Sequence, residues 1–156
     1  MQGAASRCAM RYLSAFLLSL AMATAAWAGP VEDSIAKGRA ALAARDVVKA
    51  MEAFTAALEA DPRNVEAAYD RGRLLLVIGQ PQYAIADFTT AVVGNPAFAS
   101  AYVGRAHAKM TLNNAKSAAA DFDKAVAVAP KDVEVLVARA AFRARSGDVA
   151  GARGAV

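Results

Sequence analysis

The sequence predicts an all-α fold of stacked helical hairpins, an α-solenoid. Three observations carry that prediction: a 34-residue internal repeat, apolar residues spaced three and four apart, and an abundance of alanine. The repeat is the strongest of them. Ala50, Ala84, Ala118 and Ala152 stand 34 residues apart, and so do Phe54, Phe88 and Phe122. Ala57, Ala91 and Ala125 keep the same step, as do Pro62, Pro96 and Pro130. The series Gly38, Gly72, Ala106 and Ala140 is small in every copy. An unbroken period of this length marks an array of units, each too small to bury its own apolar face. The units run 31–64, 65–98 and 99–132, followed by a partial unit 133–156.

Each unit reads as helix, turn, helix. In the second unit Ala67, Ala68, Leu74, Leu75 and Ile78 recur at helical spacing up to Gly79, a helix-stopping residue. Pro81 opens the next helix at a position where its missing N–H costs no hydrogen bond. Ala84, Ile85, Phe88, Ala91 and Val92 then share one helical face. Asn95-Pro96 ends the unit, because the residue before a proline avoids the helical region. The equivalent inner turns fall at Arg45-Asp46, Asn113-Asn114 and Gly147-Asp148. No segment alternates with a period of two, so no sheet is expected. The small column at Gly38, Gly72, Ala106 and Ala140 lets first and second helices approach, and Ala50, Ala84 and Ala118 do the same from the other side. Phe54, Phe88 and Phe122 are expected to fill the wedges between units, each burying roughly 150–250 Å².

Composition agrees. Of 156 residues 43 are alanine, and 57% are hydrophobic against 21% charged. Alanine has the highest helix propensity and lets backbones pack closely, whereas disorder requires few apolar residues. One Cys and one His exclude a disulfide framework and a Cys/His metal cluster, and no metal or cofactor is expected.

The first 28 residues read as a secretory signal peptide. Arg7 and Arg11 precede an acid-free apolar run over residues 12–26, and Ala26-Trp27-Ala28 supplies the small-x-small cleavage pattern. Cleavage is expected between Ala28 and Gly29, and the alternative is an uncleaved anchor. The run is 15 residues long, shorter than the ~20 that span a bilayer. Membrane contact is expected only through this segment. Cys8 leaves with it, and the remaining chain holds 16 basic and 14 acidic side chains. The protein is therefore expected to be exported, to the periplasm of a bacterium or otherwise outside the cell.

With these columns in hand, residues 31–156 resemble the tetratricopeptide repeat family, whose 34-residue period and small, Ala, Phe and Pro landmarks they share. The second unit, AYDRGRLLLVIGQPQYAIADFTTAVVGNP, is the most typical. The early aromatic of the family is only partly kept, by Tyr69 and Tyr102, with Ser34 and Ile35 in the first unit. The resemblance implies a right-handed solenoid whose first helices line a concave groove for peptides or partner proteins. It also implies a solvating helix after the last unit, which the sequence lacks. Val149, Ala152 and Val156 would then form an unsealed edge, open to self-association. Equally, the chain would be the N-terminal part of a larger exported protein.

On that geometry the groove columns are Ile35, Tyr69, Val103 and Val137; Arg39, Arg73, His107 and Ala141; Glu32, Glu66, Ser100 and Glu134; and Leu42, Leu76, Met110 and Ala144. Arg39, Tyr69, Arg73, Val103 and His107 are the candidate binding residues. For Arg39 and Arg73 the competing expectation is a pair with Asp or Glu on the same or next unit. Arg71 and Arg105 are placed to pair with Asp87 and Asp121. Some members of the family clamp the C-terminal carboxylates of heat-shock chaperones. The corresponding positions here hold Ile35, Arg39, Asp70, Ser100 and Gly104, and Asp70 would repel a carboxylate, so that variant of the function is not expected.

No enzyme is expected. The chain has no GxxxxGK[ST] loop, no GxSxG elbow and no HExxH helix. Ser100 and His107 share a helical face but stand about 10 Å apart, beyond proton-transfer reach. Arg139, Arg143, Arg145 and Arg153 read as a solvated face without the interleaved aromatics of a nucleic-acid site, and no nucleic-acid partner is expected. The sequence thus points to a non-catalytic scaffold that binds a peptide or protein.

Overall fold

The computed structural model describes residues 29–146. The signal segment, the Ala28 side of the cleavage site and everything after Ser146 lie outside the described residues, so the unsealed C-terminal edge lies outside them too. Gly29 caps the first helix.

Seven helices and no strand are present among the described residues. They are α1 (Pro30–Ala43), α2 (Val47–Ala60), α3 (Val65–Val77), α4 (Pro81–Gly94), α5 (Ala99–Thr111), α6 (Ala115–Val128) and α7 (Val133–Arg145). Starts follow local chemistry. Pro30 and Pro81 occupy the first turns of α1 and α4, where no N–H is needed. Asp46, Asn64, Asn114 and Asp132 cap α2, α3, α6 and α7, each accepting a backbone N–H two or three residues on. Such caps contribute ~0.5–2 kcal/mol each. The three inner turns each hold one residue at positive φ: Arg45 at 59°, Gly79 at 76° and Asn113 at 57°.

The helices pair as α1–α2, α3–α4 and α5–α6, and the pairs stack through α2–α3, α4–α5 and α6–α7. First helices also lie beside one another, α3 with α5 and α5 with α7. The chain is an all-α helical repeat solenoid.

The phenylalanine column organises the core. Phe54, Phe88 and Phe122 are 0–1% exposed. A Cβ on Gly38 would lie 2.5 Å from the Phe54 ring, and one on Gly72 would lie 3.0 Å from the Phe88 ring. A Cβ on Gly104, one hairpin further, would lie 2.6 Å from the same Phe88. Phe88 is therefore gripped by its own hairpin and by the next.

Polar buttresses join the same layers. Arg71 donates from Nε and Nη2 to the buried Asp87 at 2.7 and 2.8 Å, and Arg105 does so to Asp121 at 2.9 and 2.7 Å. Each arginine also reaches back to the preceding hairpin, Arg71 to Thr55 and Arg105 to Thr89. Arg71 and Arg105 thus tie three consecutive helices.

Candidate functional site

Tyr69, Arg73, Val103 and His107 line one open cleft of about 290 Å³. Tyr69 and Arg73 come from α3, Val103 and His107 from α5, and Glu134 and Val135 of α7 close the far side. Leu76 and Ser100, also expected in the groove columns, line it as well. The helical step brings Tyr69 and Arg73, four apart, onto one face, and the repeat lays Val103 and His107 beside them.

Tyr69 is half-buried. Its ring lies 4.7 Å from Phe98 and 6.0 Å from Phe88, centroid to centroid. The Arg73 guanidinium sits 5.7 Å from the Tyr69 centroid, within cation–π range. Arg73 makes no ion pair among the described residues. His107 stands edge-on to Phe122 at 5.4 Å and faces a second hollow of about 220 Å³, lined also by Met110, Phe142 and Arg145. Loss of hydration, and then repulsion from Arg145, pushes the His107 pKa below the usual histidine value.

Arg39 belongs elsewhere. It lies in a separate hollow of about 470 Å³ with Glu32, Ile35 and Glu66. Its Nε donates to Asp70 at 2.6 Å and its Nη2 to Glu66 at 3.0 Å, so it is engaged by the next hairpin. These bonds, above all the one to Asp70, raise its pKa further above the ordinary arginine value. Ile35 also departs from expectation. It is 5% exposed and joins the core instead of the groove, while Val137 in the same column is 57% exposed. Ile35 packs into the hydrophobic core beside the Arg39–Glu66 pair.

The difference between Arg39 and Arg73 comes from their neighbours one unit on. Asp70 and Glu66 are replaced by Gly104 and Ser100 after 34 residues. Arg73 therefore meets no carboxylate on α5 and faces the cleft, whose far side carries Glu134. Gly104 itself lines the cleft. The sequence signal for it was the exchange of Asp70 for Gly104 at the repeat interval. The basic cluster on α7 is also more engaged than a solvated face: Arg139 and Arg143 both approach Asp123, at 2.7 and 3.9 Å.

A wider hollow of about 680 Å³ lies on the outer face of α1 and α2. Alanines and charged side chains line it without an aromatic anchor, which makes it the poorer candidate. No group of three or more His, Cys, Asp or Glu side chains among the described residues could hold a metal ion. No helix among them is long and apolar enough to cross a membrane.

Comparison with known proteins agrees with the geometry. The tetratricopeptide repeat family pattern matches residues 35–102 and 103–156. No curated protein sequence matches the chain. Among solved structures, the Arabidopsis OM64 TPR domain is similar at 29% identity and a TM-score of 0.69, over 74% of this chain and 95% of that one. MamA from Desulfovibrio magneticus RS-1 is similar at 24% identity and a TM-score of 0.73, over 80% and 71%. The first TPR of Spaghetti (RPAP3), bound to the HSP90 peptide SRMEEVD, is similar in fold at 20% identity and a TM-score of 0.70, over 75% and 93%. The repeat, the paired helices and the family match together place this chain in the tetratricopeptide repeat family.

Proposed function

We propose that the protein is an exported, non-catalytic scaffold that holds an extended acidic segment of a peptide or partner protein in the cleft between α3, α5 and α7. The observation that carries this reading is the uncompensated Arg73 beside the half-open ring of Tyr69. Successive first helices stand about 10 Å apart, so a strand rising ~3.3 Å per residue would meet a new helix at about every third residue. Tyr69, Leu76 and Val103 would supply apolar contact, and Arg73 would select a carboxylate and speed encounter.

Peptide binding by similar folds supports the mode. The RPAP3 domains were solved with the HSP90 peptide SRMEEVD and the HSP70 peptide SGPTIEEVD. Those tails are not the expected ligand here, because Arg39 is already engaged by Asp70 and Glu66. Export is supported by Arg7, Arg11, the apolar run and Ala26-Trp27-Ala28. A non-catalytic role is supported by the distance along α5 between Ser100 and His107. Two experiments test the reading. Peptide arrays probed with the protein should favour acidic sequences, and mass spectrometry of envelope protein should find an N-terminus at Gly29. An intact N-terminus at Met1 or Gln2 would refute cleavage.

A further inference from the structure

We propose that the hairpin-turn edge of the solenoid docks on the surface of an anionic lipid bilayer. The hairpin topology puts the α1–α2, α3–α4 and α5–α6 turns on one edge, about a helix diameter apart. The turns themselves carry the polar residues Arg45, Asp46, Gln80, Asn113 and Asn114, but exposed apolar side chains crowd around them. Of the ten exposed large hydrophobic side chains among the described residues, seven flank these turns. They are Leu42, Val47 and Val48 at the first, Val77, Ile78 and Tyr83 at the second, and Leu112 at the third. Val48, Val77 and Tyr83 are 67, 79 and 66% exposed, so they project from the turns into solvent.

Charge identifies the occupant. Arg45, Lys49, Lys116 and Arg145 are exposed around the same edge. Asp46 is its one carboxylate among the described residues, and it lies 2.9 Å from Lys49. The opposite edge is acidic on balance: Glu32, Asp33, Glu66, Asp132 and Glu134 are exposed there, against Arg63 and Lys131. Short aliphatic chains and a tyrosine among cations match the headgroup region of an anionic leaflet, which takes apolar tips shallowly and attracts Lys and Arg. A second copy fits poorly, since pairing this edge with itself would bring the four cations against their own kind. Arg45 departs from its counterparts in the other turns. It holds φ 59° where the equivalent residues are Gly79 and Asn113. An arginine tolerates that conformation less well than either, yet it keeps a guanidinium at the edge. The edge does not include Arg73 or Tyr69, and it meets the peptide cleft only at Val77, which belongs to both.

Hydrogen exchange read by mass spectrometry tests this on the full chain, because it separates turn contacts from any made by the N-terminal apolar run. The probe is phosphatidylcholine vesicles with and without phosphatidylglycerol. Expected is slowed exchange in residues 42–49, 77–84 and 111–117 on the anionic vesicles alone, with loops 61–64 and 95–98 unchanged. The double substitution Val48→Asp, Tyr83→Asp should abolish that protection while loops 61–64 and 95–98 exchange as in the parent. Protection confined to the N-terminal run overturns the proposal, as does equal protection on neutral vesicles. Turn protection that survives the double substitution overturns it too.

Discussion

Arg39 Nε and Asp70 Oδ2 stand 2.6 Å apart across two successive hairpins, whereas Arg73, the same position one repeat later, faces Gly104. One column thus holds an engaged cation and an available one. That contrast yields a direct prediction. Ser100→Glu places a carboxylate where Glu66 stands relative to Arg39. It should recapture Arg73 and weaken acidic-peptide binding about tenfold, roughly 1.4 kcal/mol. Titration calorimetry with an array-selected acidic peptide measures this, and thermal melting should show little change.

The ion pairs should differ sharply in what they contribute. Arg71→Ala leaves Asp87 buried without a cation and should cost about 3 kcal/mol or more. Arg39→Ala also leaves a buried carboxylate, Asp70, but the lost cation is 52% exposed and solvent can take its place more readily, so it should cost less than Arg71→Ala. Urea unfolding of the two variants checks the order, and equal losses would contradict it.

Phe88 is the central packing residue. Phe88→Ala should cost ~3–5 kcal/mol, because Gly72 and Gly104 leave no side chain nearby to fill the space. Gly104→Ala drives a methyl to 2.6 Å from the same ring and should cost ~1–3 kcal/mol by overpacking. A loss below about 1 kcal/mol for Phe88→Ala would place it outside the core.

Arg45 occupies left-handed backbone space at φ 59°. Arg45→Gly should stabilise the fold by ~0.5–1 kcal/mol, since an L side chain pays more there than glycine loses in chain entropy. Asn113→Gly should gain less, because asparagine tolerates the conformation. Melting temperatures of both variants test the ranking.

His107 has its folded-state pKa lowered, chiefly by lost hydration. The unfolded chain therefore takes up the proton first as pH falls. Its contribution to stability is fully present above the unfolded value near 6.5 and is lost as pH drops towards the folded value. Unfolding free energies of the parent and His107→Gln between neutral and mildly acidic pH should diverge in that sense. A parent that gains stability on acidification relative to the variant would contradict it.

The fold was legible because its determinants repeat. Phe54, Phe88 and Phe122 recur with small partners at a fixed interval, and burial follows from the recurrence. The Arg71–Asp87 and Arg105–Asp121 pairs were legible for the same reason, lying 16 residues apart within one hairpin. The cleft was half legible. Tyr69, Arg73, Val103 and His107 share it, but Arg39 and Ile35 do not, because Asp70 and Glu66 belong to the next hairpin. Column membership fixes a position on a helix, while the fate of its side chain depends on what the neighbouring unit places opposite. The apolar turn edge was missed for a related reason: Ile78 reads as part of a helical face until the helix is seen to end beside it.

Recognition of acidic segments by the Tyr69–Arg73 cleft is tested most directly by calorimetry of acidic and neutral peptides of equal length with the parent, Tyr69→Ala, Arg73→Ala and Lys131→Ala. The parent should prefer the acidic peptide, Arg73→Ala should remove the preference, Tyr69→Ala should weaken both peptides, and Lys131→Ala, at an exposed site, should be without effect. Unchanged binding in Arg73→Ala and Tyr69→Ala, with the proteins folded, would contradict recognition by this cleft.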